Sequence, residues 1–382
     1  MGSTLIVTND FPPRQGGIET FVHAMATRMP DDEVVVYTSR EDGDTAFDAT
    51  LPFPVIRDTG HLLLPTRRVA GKAVEIAQAH GCDRAWFGAA APLALMAPAL
   101  RRGGLERIVA TTHGHEIWWA KVPGTRRLMR RIGDGVDVVT YLGPYTRKRI
   151  EPALGHNPLL SRLVPGVDTD VFRPDEAVSK QIRTDLRLYD RQVILCVARL
   201  VPRKGVDMLI RALPLVRRNV PDAVLLIVGK GPDEARLRKL ARHHAEGSVY
   251  FAGGRPHAET PPYYAAADVF AMPCRTRLGG LEAEGLGIVF LEAAASGLPV
   301  IAGDAGGAPD TVLDGRTGRL VDPIDKAAIA EALTTTLLDP ERAAMGAAGR
   351  RWVRQTWSWD ASARHLAELW APERSAAATG DN

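Results

Sequence analysis

The stretch RTRLGGLEAEGLGIVFLE, residues 275–292, decides how the second half of the chain folds. Glycine-rich sequence leads into an apolar, alanine-rich run, and a helix is predicted to begin at Gly287. Ile288, Val289 and Leu291 are predicted to form the buried side of that helix. The first N–H groups of a helix have no partner within it, so glycines in front of them favour an anionic ligand.

Two carboxylates stand eight positions apart in this stretch. Glu284 lies in the loop before the helix, and Glu292 lies about two turns further along. Each carboxylate oxygen can accept a hydrogen bond from a hydroxyl, so the pair suits recognition of a sugar. Acidic residues are also common in the first turns of helices, so two ordinary surface glutamates are an alternative interpretation.

Length and composition indicate a two-domain protein. The chain has 382 residues and 45% hydrophobic content, enough for two cores, and its net charge of +3 is too small to indicate nucleic-acid binding. Cys82, Cys196 and Cys274 have no paired spacing, which favours buried free thiols in a reducing cytosol. No apolar run reaches membrane-spanning length and no signal-peptide pattern is found, which predicts a cytoplasmic protein whose membrane contact is at most peripheral.

The first candidate ligand site follows the first predicted strand, residues 4–8. Gly16 and Gly17 come next, and an amphipathic helix is predicted from Ile18. A strand, a glycine turn and a helix form a unit that binds phosphate through backbone N–H groups. A Gly-Gly pair is also common in ordinary tight turns, so this motif alone is not decisive.

The alternation of apolar runs and helical patterns continues along the chain. The remaining predicted strands are 34–37, 55–56, 85–87, 108–112, 136–141, 193–198, 224–228, 249–251, 269–272 and 300–302. This pattern predicts an α/β fold with two Rossmann-like parallel-sheet domains facing each other across a cleft. We predict domains at 1–172 and 190–357, with the last helix, about 358–372, packing back on the first domain. The tail after about Glu373 is predicted to be disordered.

The sequence THGHE, residues 112–116, stands at the carboxyl end of a predicted strand. Ligands of parallel α/β sheets bind at this edge, so His113 could orient a substrate hydroxyl. Two histidines and a glutamate also suggest a metal, but no further ligands stand at suggestive spacing and no metal is predicted. A purely structural histidine is the third interpretation.

Two features indicate contact with an anionic lipid surface. Residues 60–68, GHLLLPTRR, place an apolar loop directly before two arginines. The segment 57–162 contains 17 basic and 8 acidic residues, a local net charge of +9, and many of the basic residues lie within 121–149. Apolar insertion beside positive charge is how a peripheral protein binds an anionic bilayer, although most charged helix faces are simply solvated.

The second half of the chain adds a cationic pair. Arg199 and Lys204 follow the strand predicted at 193–198, and their spacing allows them to bind a diphosphate from two sides. The loop 303–310, GDAGGAPD, again places glycines at the end of a strand.

Together these motifs resemble the GT-B glycosyltransferases of family 4, over nearly the whole chain. Within that family, THGHE, RLVPRKG and EGLGIVFLEA are similar to segments of actinobacterial phosphatidylinositol monomannoside α-mannosyltransferases. The resemblance implies a sugar-nucleotide donor, GDP-mannose, and transfer with retention of the α configuration. It also implies no metal or other cofactor, and a glycolipid acceptor at the inner face of the cell membrane.

The resemblance also implies roles for the donor-binding residues. Arg199 and Lys204 would hold the diphosphate, with Gly16 and Gly17 beside it, and would stabilise the leaving group. Glu292 would bind the ribose hydroxyls.

The remaining implied roles concern the base and the transferred sugar. The loop that contains Gly254 would border the base. Glu284 would hold the transferred hexose, and His113 would contact its hydroxyls. The backbone N–H groups expected to assist Glu284 are those of Gly285, Leu286 and Gly287. No enzymic nucleophile is assigned, and a front-side transfer is favoured in which the leaving phosphate takes the acceptor's proton.

Some positions depart from the subfamily pattern. Glu282 stands where Asp is usual and Val206 where Gln is usual, so the acceptor is less well indicated than the donor. The alternative function is a family 4 enzyme of secondary metabolism, using another sugar nucleotide and a soluble cyclitol or glycoside acceptor. A non-catalytic nucleotide-binding protein and a sugar-nucleotide epimerase share the architecture, but the first is expected to lack one of Arg199, Lys204 or Glu284.

Overall fold

The computed structural model describes residues 2–14 and 16–371, so the tail predicted to be disordered lies outside it. The chain divides into two compact units. The first contains the described residues up to Leu142, Thr146–Pro165 and those from Trp359 onward, and the second contains Gly166–Ser358 with Gly143–Tyr145. Among the described residues, no helix combines the length and the hydropathy needed to cross a bilayer.

The first unit is built on a seven-stranded sheet in which every neighbouring pair is parallel. Its strands, in chain order, are β1 Ser3–Val7, β2 Val34–Thr38, β3 Val55–Arg57, β4 Cys82–Phe87, β5 Arg107–Thr111, β6 Val138–Tyr141 and β7 Leu159–Arg162. Their order in the sheet is β3-β2-β1-β4-β5-β6-β7. The central strands are buried on both faces, which explains why they read as continuous apolar runs.

Helices connect and cover these strands. They are α1 Gly17–Ala26, α2 Asp44–Asp48, α3 Arg67–Ala79, α4 Ala97–Arg102, α5 Glu116–Lys121, α6 Pro123–Gly135 and α7 Pro144–Leu154. The last helix among the described residues, α15 Trp359–Glu368, contacts α1. Phe21 and Met25 of α1 and Leu366 of α15 share one core with Ile6 and Trp86 from the sheet.

The second unit is built on a six-stranded parallel sheet. Its strands are β8 Gln192–Val197, β9 Ala223–Val228, β10 Val249–Gly253, β11 Val269–Met272, β12 Val300–Gly303 and β13 Gly318–Val321, in the order β10-β9-β8-β11-β12-β13. Its helices are α8 Glu176–Asp185, α9 Val206–Val216, α10 Glu234–His244, α11 Pro261–Ala265, α12 Ile288–Ala295, α13 Lys326–Leu338 and α14 Arg342–Thr356. The predicted architecture of two Rossmann-like parallel-sheet domains is confirmed.

Two edge strands were not predicted. Strand β7 is only half buried, so its sequence LLSR lacks the continuous apolar run of the central strands. Strand β13 begins with Gly318, where any side chain would overlap the carbonyl group of Val300 on β12. Gly318 and Arg319 fit the packing at this edge of the sheet, but glycine and arginine do not indicate a strand in a sequence.

Candidate active site

Lys204 and Glu284 form a buried ion pair in the second unit. The Lys204 Nζ atom lies 2.5 Å from Glu284 Oε2, and each side chain is only 11% exposed. Lys204 ends the short 3-10 turn Pro202–Lys204 after β8, and Gly205 continues the chain at φ 73°. A side chain at Gly205 would overlap the carbonyl oxygen of Pro273, so the turn is pressed against the end of β11. This close packing fixes the position of the turn that carries Lys204.

The loop that carries Glu284 rests on the glycine loop after β12. The Gly307 N–H donates to the Glu284 carbonyl oxygen at 2.8 Å, and a side chain at Gly306 would overlap the Glu284 backbone. Gly287, at φ 90°, is the N-cap of α12, as predicted. Two loops that the sequence marked by their glycines are therefore packed against each other, with a helix start beside Glu284.

Glu292 is buried on α12 with two side-chain donors. Its Oε1 accepts from His257 Nε2 at 2.7 Å and its Oε2 accepts from the Tyr264 hydroxyl at 2.8 Å. Glu292 is 2% exposed, so the alternative of two ordinary surface glutamates is wrong. The hydrogen bond to Glu292 raises the pKa of His257, and burial raises the pKa of Tyr264 well above its usual value.

Sequence reasoning did not identify His257, Tyr264 or Arg203. The sequence feature closest to His257 was the loop after β10, which the sequence marked only by Gly254. Gly254 is exposed and adjoins the Lys230 side chain. Arg203 precedes Lys204, and its Nε lies 4.0 Å from Glu284 Oε2. Arg199, by contrast, is exposed, and in the described part of the chain its guanidinium has no hydrogen-bond or ion-pair partner.

His113 lies in the first unit, just after β5. Its Nε2 lies 2.7 Å from the Gly88 carbonyl oxygen. A carbonyl can only accept, so Nε2 carries the proton and Nδ1 is left as an acceptor. Burial lowers the pKa of His113, which keeps the ring neutral. The ring of Phe21 on α1 packs edge-on against it, with 5.2 Å between the ring centroids. A neutral imidazole whose second nitrogen has no partner among the described residues suits a hydroxyl group.

Glu116 organises the loop around His113. Its fully buried carboxylate accepts from the backbone N–H groups of His113 and Gly114, both at 3.0 Å. Both bonds end on Oε2 of Glu116 and hold the backbone of the loop around His113. Over residues 2–14 and 16–371, no group of three or more His, Cys, Asp or Glu side chains is placed to hold a metal ion.

The Gly16-Gly17 turn is exposed at the start of α1. The Gly16 carbonyl oxygen accepts from the Thr20 N–H at 3.0 Å, within the first turn of the helix. Arg14 donates to Glu19 and to Asp10, both at 2.7 Å, and this network braces the loop. The predicted site residues are thus divided between the units, with His113, Gly16 and Gly17 in the first and the others in the second.

Comparison with known proteins places these features in a family. Residues 15–171 match the model of Glycosyltransferase Family 4, and residues 178–352 match the model of Glycosyl transferases group 1. A GDP-mannose-dependent α-(1-6)-phosphatidylinositol monomannoside mannosyltransferase from Mycolicibacterium smegmatis is 49% identical over 97% of this chain and 99% of its own. The chain is a GT-B glycosyltransferase.

Other relatives and solved structures agree with that membership. A GDP-mannose-dependent monoacylated α-(1-6)-phosphatidylinositol monomannoside mannosyltransferase from Corynebacterium glutamicum is 46% identical over 96% of this chain and 97% of its own. Anabaena HepE, solved with UDP and glucose, matches with a TM-score of 0.80 at 20% identity, covering 96% of this chain and 99% of HepE. Sucrose-phosphate synthase from Thermosynechococcus elongatus matches with a TM-score of 0.78 at 22% identity, covering 96% and 98%. These two structures establish the GT-B fold.

The second unit of this glycosyltransferase contains two kinds of charged group, in loops that follow its strands and, for Glu292, on helix α12. Arg199 and Lys204 supply positive charge, and Glu284 and Glu292 supply hydroxyl acceptors. Cations stabilise a departing diphosphate and carboxylates bind polyols, so the arrangement is chemically suited to a nucleotide sugar.

Proposed function

We propose that this glycosyltransferase moves an α-mannosyl group from GDP-mannose to a phosphatidylinositol monomannoside-type glycolipid, with retention of configuration. The observation that carries the proposal is the 49% identity, over nearly the full length of both chains, to a relative named for that donor and acceptor. The 46% identical corynebacterial relative is named for the same donor and a closely similar acceptor.

For the donor, we propose that Arg199 and Lys204 bind the diphosphate. The exposed Arg199 guanidinium has no hydrogen-bond or ion-pair partner among the described residues, whereas Lys204 already holds Glu284, so Lys204 would bridge a phosphate and that carboxylate. Glu292 would accept hydrogen bonds from ribose hydroxyls, and Gly254 would border the base. The two cations would offset the charge that develops on the departing nucleoside diphosphate, which is the work expected where no metal takes part.

For the transferred sugar, we propose that Glu284 accepts hydrogen bonds from hexose hydroxyls. The backbone N–H groups of Gly285, Leu286 and Gly287 would assist it. His113 would accept a hydrogen bond from a sugar hydroxyl at Nδ1, because its Nε2 already donates to the Gly88 carbonyl oxygen. The exposed N–H groups at Gly16 and Gly17 would bind a phosphate oxygen.

The mechanism proposed is a front-side substitution at the anomeric carbon. The bond to the departing phosphate oxygen breaks while the acceptor oxygen approaches from the same face, and that phosphate oxygen takes the acceptor's proton. No enzymic nucleophile is required. A covalent mannosyl-enzyme trapped on a side chain would contradict this step.

We also propose peripheral contact with an anionic membrane through the loop before α3. Leu62 and Leu64 are 57% and 49% exposed, although Leu63 between them is fully buried. Both backbone groups of Leu63 are bonded to the Asn9 side chain, at 2.6 and 3.0 Å. The loop is therefore held so that two leucines face solvent, with Arg67 directly after it. Apolar side chains beside positive charge match the surface of an anionic bilayer.

The test is product analysis with separate donors. GDP-mannose, UDP-glucose and UDP-N-acetylglucosamine are each incubated with phosphatidylinositol monomannoside, with inositol 3-phosphate, and without acceptor, in the presence and absence of EDTA. Mannosylated lipid from GDP-mannose alone, insensitive to EDTA, is the expected result. Transfer only to the soluble acceptor would support the secondary-metabolism alternative, and an altered sugar nucleotide without acceptor would indicate an epimerase.

A further inference from the structure

The two donors on Glu292 leave a defined part of its carboxylate unused. A carboxylate has two oxygens and about four lone-pair sites. The Tyr264 hydroxyl occupies one site on Oε2, and His257 Nε2 occupies one site on Oε1. About one acceptor site therefore remains on each oxygen. Two acceptor sites on one planar group match the two neighbouring hydroxyls of a vicinal diol.

The two donors differ in how they are held. Tyr264 is fully buried, so the Oε2 bond is part of the core. The His257 side chain is 54% exposed and stands at the solvent side of Glu292. The ring of Phe172 packs against both of these rings. Its centroid lies 5.4 Å from that of His257 and 5.5 Å from that of Tyr264. Phe172 is itself buried, so the exposed ring of His257 is held in position by a fixed neighbour.

We infer that His257 is a positioning residue for the nucleotide ribose. It fixes Glu292 Oε1 while Tyr264 fixes Oε2, and the carboxylate plane is thereby set to receive the 2′- and 3′-hydroxyls together. This inference rests on the proposed role of Glu292 in ribose binding. Its consequence is that His257 contributes to the preference for ribonucleotides over 2′-deoxyribonucleotides without touching the base.

The experiment compares matched variants at position 257. His257→Phe keeps a flat ring beside Phe172 but removes the donor, and His257→Gln restores an N–H near the position of Nε2. Binding of GDP, UDP and ADP, and of the 2′-deoxy form of each, is measured by calorimetry for the wild type, both variants and Glu292→Gln. Thermal unfolding of each variant establishes that it is folded, and Tyr264→Phe provides a second variant that removes a donor from the same carboxylate.

The wild type is expected to bind its preferred ribonucleotide more tightly than the 2′-deoxy form. His257→Phe should weaken ribonucleotide binding about tenfold while changing 2′-deoxynucleotide binding less than about threefold, and His257→Gln should recover most of the loss. In turnover with GDP-mannose, the KM of His257→Phe should rise while kcat stays within about threefold, because the contact is made equally in ground and transition states.

Three outcomes would overturn the inference. The first is an unchanged ratio of ribo- to 2′-deoxynucleotide affinity in folded His257→Phe. The second is a wild type that binds a ribonucleotide without preferring it to the 2′-deoxy form, which leaves the donor assignment intact. The third is a wild type that binds no nucleoside diphosphate, which overturns the proposed function as well. Preference for UDP or ADP instead of GDP would overturn the donor assignment alone, because the diol is common to all three.

Discussion

Replacing Lys204 by alanine should destabilise the second unit as well as abolish turnover. From sequence alone, a lysine that only binds a ligand is expected to be removable with the fold intact. The structure changes that expectation, because Lys204 neutralises the buried carboxylate of Glu284 at 2.5 Å. Its removal leaves an anion largely out of water with no matched cation.

The magnitude follows from the geometry of the pair. At 2.5 Å and an effective dielectric constant of about 20, two unit charges attract by about 7 kcal/mol. Desolvation of both groups offsets much of this, and breaking a buried pair by removing one partner costs about 3–5 kcal/mol. Arg203, 4.0 Å from the same Glu284 oxygen, remains as partial compensation. We therefore expect a loss of about 3 kcal/mol, near the lower end of that range.

The assay is thermal and urea unfolding of purified variants. In a domain of this size each kcal/mol shifts Tm by about 2–4 °C, so Lys204→Ala should lower the transition of the second unit by roughly 6–12 °C. Lys239→Ala is the matched control, because Lys239 is an exposed lysine on α10 of the same unit. Its change should stay within about 0.5 kcal/mol.

A double variant separates the ion pair from other effects of truncation. Lys204→Ala combined with Glu284→Gln contains no uncompensated buried charge, so it should recover at least half of the lost stability. Equal Tm values for Lys204→Ala and Lys239→Ala would refute the reasoning. A double variant as unstable as the single one would do so too, since the loss would then come from packing alone.

Three further predictions concern the first unit. Because burial lowers the pKa of His113, kcat/KM should be flat above neutrality and should fall only as the pH drops through that lowered pKa; a rise on acidification would show that the imidazolium is the active form. Serine at Leu62 and Leu64 should weaken binding to anionic vesicles roughly tenfold or more, whereas Leu159→Ser, at a 39% exposed leucine on β7, should not; unchanged sedimentation of the loop variant would remove the membrane proposal. The hydrogen bond from Arg68 holds the pKa of Asp58 well below its usual range, so this carboxylate stabilises the fold above its unfolded pKa of about 3.9 and the effect is lost as the pH falls towards the folded value. Asp58→Asn should therefore be less stable than the wild type at pH 7, and a difference that does not shrink by pH 3 would contradict that linkage.

The sequence was a good guide to the fold wherever strands are central. Residues such as Ile6 and Leu195 are buried in parallel strands covered on both faces, and that burial requires continuous apolar runs. Edge strands such as β13 need no such run, since one side of each pairs with nothing. Periodicity therefore predicted the central strands and one edge strand of each sheet, β3 and β10, and missed the opposite edge strands, β7 and β13.

The site was predictable to the extent that backbone geometry needs glycine. Gly205 and Gly306 adopt positive φ beside another chain segment that leaves no room for a Cβ atom, so each had to be glycine, and each lies in a loop of the candidate site. The partners of Glu292 left no comparable trace. His257 and Tyr264 are 35 and 28 positions away in the sequence, and ordinary residue types at long separation show no spacing pattern until the sheet brings them together.

The carboxylates of Glu284 and Glu292 differ in the side chains that bind them more than in their positions along the sequence. Glu284 and Glu292 are the same residue type on one short segment, yet Glu284 is bound by a lysine and Glu292 by a phenol and an imidazole. A carboxylate tied to a cation can respond when a phosphate competes for that cation, whereas one fixed by two donors keeps its orientation. The first property suits the end of the donor where charge moves during transfer, and the second suits a ribose that must stay in place. The division of labour that we propose for the two residues thus follows from their partners, which the sequence does not place beside them.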